Sequence, residues 1–116
     1  MEKRIIKKLK SLGLSTGQRG YAYLVAAIRL CFERPSYLEQ PIKYLYIKIG
    51  RHYNVQEKDI ERSIRCLITL LLESENGHQI RDILGERSFY SREYITNKTV
   101  IFCLIEAIKS DTSDYT

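Results

Sequence analysis

The chain has no tryptophan, only two prolines and two histidines, and three cysteines among its 116 residues. Cys31, Cys66 and Cys103 are odd in number, far apart, and never paired as Cys-x-x-Cys. That spacing argues against a disulfide framework and against a zinc site. Each lies among apolar neighbours and is expected to be a small buried thiol. His52 and His78 offer no nucleophile–base pairing, and neither a phosphate loop nor metal spacing occurs. An enzyme is therefore not expected, and no metal or cofactor is implied. No apolar run approaches the ~18 residues that span a bilayer. The longest, Cys66 to Leu72, is far shorter. Met1-Glu2-Lys3-Arg4 is charged, but neither an apolar signal core nor a small-residue cleavage site follows. A cytoplasmic protein without a membrane partner is expected. No segment alternates with period two and no internal repeat occurs, so no sheet is expected.

What is present is apolar and basic. Hydrophobic residues make up 44% of the chain, enough for one core and too many for a disordered segment. The net charge of +5 and a pI near 9.2 favour polyanionic partners, although the placement of the charge matters more than its sum.

Helical periodicity organises the chain into an all-α bundle of about six helices, read as one domain over residues 1–116. Ile5, Ile6, Leu9 and Leu12 make an apolar stripe on a first helix over Arg4 to Leu12, with lysines opposite and Gly13 as its stop. That stripe lacks Trp and Phe, which disfavours a membrane-surface role. Ser15 and Gln18 have capping-box spacing, so a second, well-buried helix is predicted from near Thr16 to just before Pro35. Tyr21, Tyr23 and Tyr37 read as packing residues. Glu33 to Ser36 reads as a turn. Pro41 suits the first turn of a third helix that ends at Tyr53, stopped by Asn54. Val55-Gln56 is the next turn, and a longer helix runs from Glu57 to about Glu75, broken by Asn76-Gly77. A short helix over Gln79 to Leu84 precedes Gly85. Glu86 to Ile95, with Arg87 and Arg92, reads as an ordered loop. Thr96 or Asn97 caps a last helix from Lys98 to Lys109, and Ser110 to Thr116 is a polar tail expected to fray.

The informative stretch spans roughly Pro41 to Ser74, where a helix-turn-helix fits. Two helices crossing at roughly 90–120° through a short turn need a small residue at the approach, a left-handed turn residue and an apolar plug. Gly50, Asn54 and Val55 occupy those places, and Ile60 sits one turn into the second helix. On a helical wheel Ile60, Ile64, Leu67 and Leu71 share one face, with Ile68 beside them. Lys58, Arg62, Arg65 and Thr69 share the opposite face, with Cys66 at its edge. Two outward arginines three residues apart can bond guanine O6 and N7 in the major groove. The plainer alternative is a solvated face with Glu61 and Arg65 as an i,i+4 ion pair. Lys43, Lys48 and Arg51 on the preceding helix add basic charge beside the motif.

The stretch Arg19-Gly20-Tyr21-Ala22-Tyr23-Leu24, followed by Ala27-Ile28, resembles the C-terminal DNA-binding effector domain of the sporulation initiation response regulator. Leu45-Tyr46, Ile60-Glu61-Arg62-Ser63-Ile64-Arg65 and Thr96-Asn97 continue the resemblance over nearly the whole chain. It implies a six-helix bundle that binds a short double-stranded DNA box and regulates transcription, often as copies lying head to tail. It also implies RNA polymerase as a partner. By position it places base-reading and backbone contacts on Glu61, Arg62 and Arg65. The interface expected from both lines is Glu61, Arg62, Arg65, Lys58, Thr69, Cys66, Lys48 and Arg51. This chain has Asp59 where that family usually has Arg, and Cys66 where it usually has His, which implies weaker phosphate binding or a different box. The family sets a phosphoacceptor receiver domain before this module. None is read in this chain, which fits an excised domain or a free-standing relative. An alternative is an interaction module that modulates a full-length relative.

Overall fold

The computed structural model describes residues 1–75, 77–85 and 95–113, with the side chains of residues 112 and 113 left aside. Six α-helices follow in order among the described residues: α1 (Glu2–Ser11), α2 (Tyr21–Glu33), α3 (Lys43–Tyr53), α4 (Glu57–Glu73), α5 (Gly77–Leu84) and α6 (Asn97–Ser113). A short 3₁₀ helix, Pro35–Leu38, sits between α2 and α3, and no strand occurs among the described residues. The all-α bundle expected from periodicity is the observed architecture.

The central element is α2. Seven of its residues, from Tyr21 to Cys31, are buried, and it packs against α1, α3, α4 and α6. The α4 stripe read from the wheel is the inner face: Ile60, Ile64 and Ile68 are fully buried, with Leu67 and Leu71 nearly so. These join Leu45, Tyr46 and Ile49 of α3 and Val100, Ile101, Leu104 and Ile105 of α6 in one cluster. The inner face of α4 is thus anchored along its length, and the opposite face is turned outward.

Several boundaries differ from those expected. The capping-box spacing at Ser15 is used, since Ser15 N–H donates to Gln18 Oε1 at 2.9 Å. It closes a turn and not a helix, because Gly20 adopts φ +89° and α2 starts only at Tyr21. The reason is tertiary: a Cβ on Gly20 would lie 2.5 Å from the Ser63 carbonyl oxygen of α4. Pro41 stands two residues before α3 and contributes its carbonyl to Tyr44 N–H at 3.1 Å. The residues after Pro35 form the 3₁₀ helix. At its far end α4 stops at Glu73, where Ser74 turns extended and its hydroxyl donates to the Leu71 carbonyl at 2.8 Å. α4 does end before Asn76-Gly77 as expected, and Gly77 itself opens α5, two residues earlier than read, buried against the Leu72 carbonyl. The expected fraying from Ser110 is not seen up to Ser113, since α6 continues through it and Lys8 pairs with Asp111 at 2.8 Å. The loop read over Glu86 to Ile95 falls, but for Ile95, outside the described residues, as do Asn76 and the last three residues of the tail.

Two substitutions test this packing. Ile64→Ala removes a fully buried side chain at the α4 core face and is expected to cost about 2–5 kcal/mol in urea unfolding. Gly20→Ala must adopt a left-handed backbone and meet the Ser63 carbonyl. It is expected to cost at least about 1–3 kcal/mol by the same measurement. An unchanged unfolding midpoint for Gly20→Ala would show that the α2–α4 approach is looser than described.

Candidate nucleic-acid interface

The motif is built by backbone constraints. Asn54 closes α3 at φ 57°, ψ 49°, the left-handed conformation that an asparagine tolerates. The Gly50 carbonyl accepts the N–H of Val55 at 2.9 Å, and a Cβ on Gly50 would collide with the Val55 carbonyl. Val55 is half-buried and packs on the core, as the plug residue must. Tyr53 is 40% exposed, and its ring meets Tyr23 edge-on at 5.1 Å. Glu57 and Asp59 lie in the first turn of α4, where acidic charge complements the helix dipole.

The outward face of α4 holds the expected residues. Lys58, Arg62, Arg65 and Cys66 are exposed, and Glu61 and Thr69 are half-buried. Lys48 and Arg51 are exposed on α3. The ion pair does form: Arg65 Nη1 lies 3.2 Å from Glu61 Oε1, with 53% and 37% of the two side chains exposed. At that exposure it contributes at most about 0.5 kcal/mol. A bidentate guanine contact is worth about 1–3 kcal/mol. The pair is therefore weaker than such a base contact, and it holds the guanidinium on this face. The expectation of three buried thiols needs correction. Cys31 and Cys103 are buried, whereas Cys66 is exposed because its wheel position lies outside the α4 core stripe.

Glu61, Arg65, Cys66 and Thr69 line a cavity of about 850 Å³ whose far wall is the start of α6. Lys58 and Arg51 line a separate groove of about 760 Å³ around the turn, and Lys48 and Arg51 line another of about 590 Å³ along α3. The expected residues that line these spaces thus fall into two groups, Glu61, Arg65, Cys66 and Thr69 in one and Lys58, Arg51 and Lys48 in the other, where Arg51 links the two grooves. No cluster that could hold a metal ion occurs among the described residues. The chemistry on offer is hydrogen-bond donation and positive charge. No helix among them is long and apolar enough to cross a membrane.

One residue important to this face was read only as a helix cap. Asn97 is 8% exposed, and its Nδ2 donates to the Tyr46 hydroxyl at 3.1 Å and to the Glu61 backbone carbonyl at 3.2 Å. It therefore ties α6 to both helices of the motif. Thr96 is the cap itself, its hydroxyl accepting Thr99 N–H at 3.1 Å. Sequence offered only the ambiguous Thr96-Asn97 pair, and nothing in it marked the Tyr46 hydroxyl as a partner. Burial pushes the Tyr46 phenol up from 10.0 to about 12, partly offset by the Asn97 bond. Burial likewise raises the Cys31 thiol to about 11.

A family comparison agrees with this geometry. The model described as sporulation initiation factor Spo0A C terminal matches residues 5–108, nearly the whole chain. No solved structure matches it.

Three outcomes follow from the site. Iodoacetamide at neutral pH is expected to label Cys66 well before Cys31 or Cys103, as read by peptide mass spectrometry; equal labelling would contradict the burial described. Asn97→Ala strands the Tyr46 hydroxyl and is expected to cost about 1–3 kcal/mol. The neutral Tyr46 phenol is favoured in the fold, so its stabilisation is fully present below about pH 10. It is lost as pH rises through about 12, and unfolding midpoints in alkali for the protein and Tyr46→Phe should diverge there.

Proposed function

Because the chain belongs to the sporulation initiation factor Spo0A C-terminal family, a family of DNA-binding effector domains of sporulation regulators, we propose that it is a sequence-specific, double-stranded DNA-binding transcriptional regulator. In this reading α4 lies in the major groove and α3 crosses the phosphate backbone. The observation that carries it is the outward face of α4, where Arg62 and Arg65 stand three apart on a helix whose inner face is fully anchored. Arg62 and Arg65 read bases, and Glu61 accepts from a cytosine or orients Arg65. Lys58, Lys48 and Arg51 meet phosphates, and Cys66 and Thr69 border the read bases. A second copy head to tail on DNA, contact with RNA polymerase and a cytoplasmic location complete the proposal. So does a single domain over residues 1–116.

A second reading has support in Glu57 and Asp59, which place negative charge in the first turn of α4 beside any phosphate. In it the chain modulates a full-length relative without gripping DNA itself.

Selection from a random duplex pool supplies the box, and titration on matched and random duplexes tests the rest. Lys43, Lys48, Arg51, Lys58, Arg62 and Arg65 are all exposed. If half meet phosphates, the log–log salt slope is expected to be about −2 to −3. A flat response would favour the second reading. Arg65→Ala is expected to cost about 1–3 kcal/mol on the matched box and much less on random duplex. Lys48→Ala is expected to weaken both alike, since a phosphate contact carries no sequence information. An unchanged matched-to-random ratio in folded Arg65→Ala would remove Arg65 from the readers.

A further inference from the structure

A strip of cations and tyrosines continues past the motif onto the segment before α3. The groove along α3 is lined by Lys48 and Arg51, and also by Arg34, Tyr37 and Tyr44, with no acidic side chain among its lining residues. Arg34 caps the end of α2, so its backbone is fixed: its N–H donates to the Leu30 carbonyl at 2.8 Å. Its exposed guanidinium lies 5.9 Å from the Tyr37 ring centre. Tyr44 is 49% exposed, and the Lys43 ammonium lies 5.6 Å from its ring centre. None of the ion pairs among the described residues engages Arg34, Lys48 or Arg51. This groove shares Ile47 and Arg51 with the groove around the turn, which reaches Lys58 in the first turn of α4 and has Glu57 as its one acidic lining residue. The strip is therefore continuous with the proposed reading helix.

We propose that this strip, from Lys58 through Arg51 and Lys48 to Arg34, is a track for the phosphates of one DNA strand flanking the recognised box, with Arg34 as its outermost contact. The proposal rests on the DNA-binding reading above and extends its footprint beyond α3 and α4. Four cations in succession, none of them in an ion pair with another described residue, fit a polyanion with regularly spaced charge. Tyrosine hydroxyls at Tyr37 and Tyr44 can donate to phosphate oxygens, as side-chain donors do in such interfaces. An acidic protein segment is the competing occupant. Continuity with the α4 face favours DNA, because one duplex meets both surfaces.

The test uses the full chain and the selected box on two duplexes, one trimmed close to the box and one extended by about one helical turn, roughly 10 base pairs. The unsubstituted protein is expected to bind the extended duplex more tightly. Arg34→Gln is expected to abolish that difference and to lower the salt slope by about 0.9, the value of one phosphate contact. Its matched-to-random ratio should stay unchanged. Lys10→Gln removes the same charge from α1, which packs on α2 and α6, and is expected to leave the slope as it was. Unfolding midpoints confirm that both variants fold. The track is overturned if Arg34→Gln matches the unsubstituted protein in slope and flank dependence, or if Lys10→Gln lowers the slope equally. It is also overturned if Arg34→Gln impairs binding to polyglutamate while leaving duplex binding intact, which would assign the strip to a protein. The parent reading fails on a different result, an unchanged ratio in Arg65→Ala, so the two failures are distinguishable.

Discussion

The close approach at Gly50 is the constraint on which the functional surface depends. The chain leaves α3 through the left-handed Asn54 and returns so tightly that the Val55 carbonyl occupies the space a side chain on Gly50 would need. That contact sets how α4 departs from α3, and hence which face of α4 turns outward. A second approach, between Gly20 and the Ser63 carbonyl, holds the middle of α4 against the start of α2. Between these two places α4 is fixed by backbone contact as well as by apolar packing. Rigid placement matters because a base-reading side chain works only when its donors arrive within hydrogen-bond geometry of a base edge.

The energetics divide along the same line. The inner face of α4 contributes burial of isoleucines and leucines at roughly 1.5–3 kcal/mol for each fully buried side chain. On the outer face the exposed Glu61–Arg65 ion pair adds little to stability. A helix so divided can change its outer residues without changing its fold. Asn97 lies between the two. It spends its two donor hydrogens on the Tyr46 hydroxyl and the Glu61 carbonyl, so it stabilises the fold and also fixes the first part of the reading helix relative to α6.

Much of the architecture was legible because it follows from local pattern. The α4 stripe, the Asn54 stop and the place of Gly50 could all be read from spacing, since period and backbone chemistry determine them. The misplaced boundaries share a cause. Ser15 and Gln18 satisfy a helix-start rule, yet the contact of Gly20 with α4 delays the helix to Tyr21. Asn76-Gly77 reads as a breaker, yet Gly77 opens a helix because it must pack against the Leu72 carbonyl. Both glycines answer to close backbone contacts, Gly20 to one far along the chain on α4 and Gly77 to one just before it at the end of α4. The outward residues of α4 were legible for the reason its core was. The Asn97–Tyr46–Glu61 link was not, because three helices must assemble before those groups meet. Cys66 was misread because apolar sequence neighbours say little about which side of a helix a residue occupies.

The Glu61–Arg65 pair also bears on how a protein of this kind finds its site. On the proposed reading, most encounters are with the wrong sequence. An unrestrained arginine would probe every base edge and linger on each partial match. Held by a neighbouring carboxylate at 3.2 Å, Arg65 returns to an internal partner whenever the opposing base offers less than the pair itself. The pair is weak enough to open rapidly, since it stabilises by at most about 0.5 kcal/mol. On that reading it would bias Arg65 slightly towards its internal partner at mismatched steps and give way where a guanine offers a stronger contact.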